Sequence, residues 1–237
     1  MHSRALLAAL LAFTACAPAA ERSSDATVDT LIVSEAASLA RPMRAVLDSF
    51  ARSGTVPKVL QVEHGGSLEL ARRVTETGRV PDILLLADQE VFPELLMPGV
   101  TSWYMRFARN RMTIAYTDRS RHASDITAQN WRHVLQRDDV LLGRPDPAIA
   151  PAGYRALLVF RLAESFYQEP GLAARLAART PPSRTRGNAA ELAALLEAGE
   201  LDYILEYESV ARAHRLRFLT LPAEIDLGDP TRAGDYG

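Results

Sequence analysis

The sequence predicts an α/β fold of two lobes joined near Asn110, with a cleft between them. Three observations carry this. Apolar runs alternate with helical patterns through the first third of the chain, and a second α/β set follows Asn110. Two turns of tiny residues, Ala36-Ala37-Ser38 and Gly65-Gly66-Ser67, each stand between an apolar run and a helical one. Strand–helix–strand–helix–strand order marks a parallel sheet with right-handed crossovers. Ligands of such sheets sit beyond the carboxyl ends of the strands, where both serine turns fall.

Residues 30–34, 58–63 and 82–87 read as short buried strands rich in Val, Leu and Ile. Between them, one helix is expected over 38–50, stopping near Gly54. A second is expected over 67–77, with Gly78 as its C-terminal glycine. Past Asn110 the expected elements are a strand at 111–117, a helix at 130–135 and a strand at 140–143. Tyr154, Leu158, Leu162 and Phe166 recur every four residues along one helix face. A loop over 181–187, a helix over 188–197 ended by Gly199, and strands at 203–206 and 217–221 complete the set. No internal repeat is present.

The serine turns carry the chemistry. A helix start has unpaired backbone N–H groups and the positive end of the helix dipole. Small residues let an anion approach those groups, and a serine adds a hydroxyl donor. Two such turns facing each other make an oxyanion clamp that needs no lysine or arginine. Ser38 and Ser67, with the neighbouring Ala37 and Gly66, are the candidate ligand contacts. The competing assignment for each serine is a plain helix N-cap.

The first fifteen residues have a basic start with Arg4, an apolar run from Ala5 to Phe13 and a small-residue close, the pattern of a secretion signal too short to span a membrane. Cys16 follows directly and is the expected site of lipidation, with residues 16–28 as a tether. Cleavage near Ala17 or Ala20 is the alternative. Lobe 1 is expected over 29–109 and lobe 2 over 110–237. Cys16 is the only cysteine, which excludes disulfides and thiolate chemistry in the folded part. Loss of the signal takes Arg4 from 27 basic residues and nothing from 29 acidic ones, a net charge of −3 that does not suggest a nucleic-acid partner. His64-Gly65-Gly66-Ser67 is like an esterase oxyanion loop, but no Gly-x-Ser-x-Gly turn accompanies it. The five histidines show no metal-ligand helix spacing, and no nucleotide-type glycine loop occurs. No catalytic residue, resident metal or cofactor is expected.

Several stretches taken together resemble one family. They are Ala36-Ala37-Ser38-Leu39, Gly65-Gly66-Ser67, Trp103-Tyr104 through Asn110, Ala115-Tyr116-Thr117-Asp118, Gly153-Tyr154-Arg155, and Leu196 to Tyr203 leading to Glu206-Tyr207. Leu221-Pro222 to Asp235-Tyr236-Gly237 also matches. In their order and spacing, the chain from about Leu31 to Gly237 resembles the extracytoplasmic tungstate/molybdate-binding proteins of ABC importers, in the archaeal-type branch.

The resemblance implies a type II periplasmic-binding-protein-like fold that closes on tungstate or molybdate and delivers it to an ABC permease and its ATPase. It implies a monomer outside the cytoplasm, held to the membrane by the lipid on Cys16. Ser38 and Ser67 would hold ligand oxygens. Glu206 would ligate the metal centre of the oxyanion, and Tyr154 falls in a matched segment. Tyr154 could equally pack in the core, and Arg155 is expected to pair with an acid. The family's second carboxylate precedes its Pro-x-Gly-Tyr-Arg segment, where this chain has Ala150, which cannot ligate. Sulfate, phosphate or another oxyanion therefore stays open as the ligand, as does a diverged surface lipoprotein that does not transport. Family members also continue past the Tyr-Gly with a strand returning to the first lobe, so that lobe is expected to be incomplete here.

Overall fold

The computed structural model describes residues 30–54 and 59–236. The expected signal segment, Cys16 and its tether, Lys58 and Gly237 lie outside the described residues. No helix among the described residues is long and apolar enough to cross a membrane.

The first half builds a parallel three-stranded sheet. Strand β1 (Thr30–Ala36) runs into a 3-10 turn (Ala37–Leu39) and helix α1 (Ala40–Arg52). Strand β2 (Val59–Gly65) leads into α2 (Ser67–Thr77), and β3 (Ile83–Leu85) is followed by a π-helical turn (Phe92–Leu96). The order is β2-β1-β3, all parallel, with Ala36 opposite Gly65 and Glu35 opposite Leu85. The three carboxyl ends are therefore level, and both serine turns leave from the same edge. Gly78 ends α2 in the left-handed region at φ 70°, a conformation glycine adopts without a side-chain clash.

The second half contains β4 (Met112–Tyr116), α3 (Trp131–Leu135), β5 (Leu142–Pro145), α4 (Pro151–Phe166) and α5 (Leu172–Ala178). It continues with β6 (Thr185–Arg186), α6 (Ala189–Ala198), β7 (Tyr203–Tyr207), α7 (Glu208–Ala213) and β8 (Arg217–Thr220). The sheet order is β6-β5-β7-β4-β8, with β4 antiparallel to β7 and β8, and β5 parallel to β6 and β7. Every residue of β4 and β7 is buried. Helices cover both faces, so these strands are apolar almost throughout instead of alternating. Trp131, Phe160, Leu172 and Leu176 pack on one face, and Leu192, Leu196, Ile204 and Ala211 on the other. Each of the Leu, Ile and Phe side chains among them contributes about 1.5–3 kcal/mol through burial.

Two expectations change. The large residues at 154, 158, 162 and 166 are not the buried face of α4, which is made instead by Ala152, Gly153, Ala156, Val159, Phe160 and Ala163. At the N-terminal end of that face small residues are required because the helix lies close to the β5 exit: a Cβ on Gly153 would sit 2.5 Å from the Asp146 carbonyl carbon and the Pro147 nitrogen. The expected loop over 181–187 holds a 3-10 turn (Pro182–Arg184) and the two-residue β6. Helix α1 forms as expected but carries no fully buried residue, and Val46 and Phe50 are exposed.

Candidate oxyanion site

A small cavity lies where the carboxyl ends of the two sheets face each other. The first half contributes Ala36, Ala37 and Ser38 after β1, Gly65 and Ser67 after β2, and Ala87 after β3. The second half contributes Pro145, Ala150, Pro151 and Ala152 between β5 and α4, Gly187 to Ala189 at the start of α6, and Glu206 with Tyr207 at the end of β7. Its volume is about 20 Å³, above the roughly 10–15 Å³ that one water needs. It suits a small compact guest.

Helix starts surround it. Ser67 is the first residue of α2, Pro151 of α4 and Ala189 of α6, and the 3-10 turn at Ala37 feeds α1. A helix start carries N–H groups without a partner in the helix and about half a positive charge; of those here, the Leu68 N–H of α2 and the Glu191 N–H of α6 are already bonded, to Ile149 O and Asn188 Oδ1. Among the described residues no lysine or arginine lines the cavity. The N-terminal ends of α4 and α6 were legible, from Pro151 at the first helical position and from Asn188, whose side chain accepts the Glu191 N–H. Sequence reasoning found only the α1 and α2 ends.

Neither serine is a helix cap. The N-cap of α2 is Gly66, and the fully buried Ser67 Oγ accepts the Ala87 N–H at 3.0 Å instead. That bond uses an oxygen lone pair and leaves the hydroxyl proton free to turn toward the cavity. Ser38 lies inside the 3-10 turn, where no side-chain cap forms. Both serines and Ala37 thus line one cavity.

Gly66 and Tyr154 do not line it. The Gly66 N–H donates to Glu69 Oε2 at 3.3 Å, so it is already engaged. Its missing side chain serves another purpose: a Cβ there would meet the Ile149 carbonyl oxygen at 2.5 Å. Tyr154 points past the cavity and donates its hydroxyl to Asp88 Oδ2 at 2.5 Å. Burial and that carboxylate both raise its pKa. Arg155 pairs with the same Asp88, Nη2 to Oδ2 2.8 Å, as expected of a structural arginine.

Glu206 is on the wall, 1% exposed. Its Oε1 accepts the Tyr207 N–H at 2.8 Å, while Oε2 is buried with no partner among the described residues. Burial pushes its pKa up to about 7, against the pull of that N–H. The Tyr207 hydroxyl is buried and unpartnered too, and burial raises its pKa despite the opposing influence of Arg155. Tyr207 was missed as a site residue, and only its place next to Glu206 pointed to it. Two residues of the cavity wall thus each carry a buried polar atom, one carboxyl oxygen and one hydroxyl, with no partner among the described residues. Ala150 also lines the wall, so the implied second carboxylate is absent from that position. Asp146 does not replace it: its Oδ1 accepts the Ala148 N–H at 2.9 Å, and it is not on the wall. His64 lies nearby, half-exposed, with Nδ1 3.1 Å from Glu35 Oε1.

Comparisons with known proteins agree with this architecture. An uncharacterised solute-binding protein of Petrotoga mobilis is 40% identical over 206 residues, covering 87% of this chain and 64% of the relative. The molybdate/tungstate-binding protein WtpA of Pyrococcus abyssi is 31% identical over 258 residues, covering 98% of this chain and 75% of the relative. The chain thus spans a little under two thirds of the Petrotoga relative's length. Among solved structures, the periplasmic molybdate-binding protein of Azotobacter vinelandii superposes with a TM-score of 0.62 at 16% identity, over 83% of this chain and 81% of that one. At that identity the likeness is one of fold. The family model for bacterial extracellular solute-binding proteins matches residues 31–234, nearly all of the described chain, and the protein belongs to that family.

Proposed function

We propose that the chain captures a small tetrahedral oxyanion, tungstate or molybdate, outside the cytoplasm and hands it to an ABC importer. The observation that supports this most is the cavity itself: helix starts and two serine turns converge on a space that no cationic side chain among the described residues lines. N–H and O–H donors hold a desolvated dianion by charge-assisted hydrogen bonds. No bond of the ligand is broken, and selection comes from donor geometry and the exclusion of water. A carboxylate beside an anion is repulsive, so Glu206 in its ionised form works against sulfate and phosphate. Tungsten and molybdenum are large enough to take a carboxylate oxygen into their coordination shell, which turns the repulsion into a contact. The WtpA relative, named for molybdate and tungstate, supports the same ligand class. Cys16, directly after Thr14-Ala15, supports a lipid tether that keeps the binder near the importer.

One observation favours a second reading. Ala150 stands on the wall where a second carboxylate would strengthen metal selection. With Glu206 alone, sulfate or phosphate is the competing ligand.

A thermal-shift panel of tungstate, molybdate, sulfate and phosphate tests both readings. Saturation at a hundred times Kd adds about 2.7 kcal/mol, a rise of roughly 5–10 °C for a chain of this size. The proposal expects that rise with tungstate or molybdate. A rise with sulfate or phosphate and with neither metal oxyanion selects the second reading, and no rise with any oxyanion removes both.

A further inference from the structure

The geometry points to Asp88, Tyr154 and Arg155 as a latch across the cleft that sets the spacing between the two halves of the oxyanion cavity. This rests on the oxyanion reading for its purpose, though not for its first test.

Asp88 belongs to the first half, three residues beyond β3, and is 5% exposed. Its Oδ1 is held by its own segment, accepting the Glu90 N–H at 3.1 Å. Its Oδ2 faces the second half and accepts the Tyr154 hydroxyl at 2.5 Å, Arg155 Nε at 3.1 Å and Arg155 Nη2 at 2.8 Å. Both donors sit in the first turns of α4, which packs on the second sheet. One buried carboxylate oxygen therefore gathers three donors from the opposite half.

The latch is coupled to the cavity through neighbours in the chain. Ala87, next to Asp88, lines the cavity and donates its N–H to Ser67 Oγ. Pro151 and Ala152, just before Tyr154, line the opposite wall. Moving Asp88 away from α4 carries the Ser67–Ala87 edge away from the α4 start. Two further bonds cross nearby, Leu68 N–H to Ile149 O at 3.1 Å and Arg72 Nη1 to Ala148 O at 2.9 Å. Both end on backbone carbonyls and carry no paired charge. A buried ion pair is costly to leave half-made, so Asp88 strongly favours the closed spacing while its partners remain. These are positioning residues: none of the three side chains lines the cavity.

The test uses Tyr154→Phe, Arg155→Gln and Asp88→Asn in the full chain, each with a spin-label pair at Glu76→Cys and Arg161→Cys on a Cys16→Ala background. Both labelled sites are exposed, one on each side of the cleft. Without ligand, the variants should show a second, longer label distance that the parent lacks. With molybdate, tungstate and sulfate as probes, Arg155→Gln should speed dissociation by roughly 10-fold or more. The affinity ratios among the probes should stay unchanged, because spacing acts on every anion alike. Unaltered distances and dissociation in Tyr154→Phe and Arg155→Gln would overturn the latch, as would a change in anion preference, which marks a ligand contact. Longer distances in the variants of a parent that binds no oxyanion would keep the latch and remove the proposed function. Should Asp88→Asn not fold, the two α4 variants decide the matter.

Discussion

At the scale of single residues, Ser67 and Ser38 make separable predictions. Ser67 Oγ is the acceptor for the Ala87 N–H, while Ser38 makes no cap. Ser67→Ala is expected to weaken oxyanion binding by roughly 1–3 kcal/mol and also to lower stability by about 1 kcal/mol, through the abandoned N–H. Ser38→Ala should weaken binding by a similar amount and leave stability unchanged. Calorimetry and urea denaturation read the two effects apart. Glu206 predicts a pH dependence. Its folded-state pKa of about 7 lies above the ordinary 4.5. The native state thus keeps a proton that the unfolded chain releases, and this contribution to stability is complete below pH 4.5 and lost as pH rises through 7. On the order of 3 kcal/mol is involved. The stability gap between the parent and Glu206→Gln should change by that amount across the window, and a gap flat with pH would contradict the burial argument. Both serines were legible in the sequence because a helix start is a local event. Tyr207 and Asp88 were not, since what distinguishes them is burial against distant elements.

At the scale of elements, the close approaches are the sensitive points. A Cβ at Gly153 would press on backbone atoms at 2.5 Å, which cannot rotate away as a side chain can. Gly153→Ala should therefore lower the melting temperature, although alanine favours a helix by about 1 kcal/mol over glycine. Unchanged or raised stability would show that α4 can lift from the β5 exit at no cost. Gly66→Ala has an unstrained φ of −71° and a Cβ 2.5 Å from the Ile149 carbonyl oxygen. It should weaken binding of every oxyanion by holding the halves apart. The strands and the longer helices were readable from apolar runs and their glycine stops, with α2 falling on the expected residues. Helices α5 and α7, seven and six residues long, were not expected, whereas the still shorter α3 was. The four-residue stripe of α4 misled for a different reason: the first turn of this helix packs too close to the β5 exit for a side chain at Gly153, and the buried face runs instead through Ala156, Val159, Phe160 and Ala163.

For the whole molecule, two sheets of different topology bring their strand ends to one cavity, and the contacts that bring them there come from residues far apart in sequence. Asp88 with Arg155, Leu68 with Ile149 and Arg72 with Ala148 are each separated by more than sixty positions. Neither periodicity nor motif spacing encodes such pairs, so the sequence suggested a cleft but not what holds it shut. The central claim is that helix starts and hydroxyls from both halves close around a single oxyanion. Titration calorimetry of the parent, Ser38→Ala and Ser67→Ala with molybdate and tungstate tests it most directly. The account predicts one site per chain in the parent and weaker binding in both variants. No heat from either anion, or equal affinity in all three proteins, would contradict it.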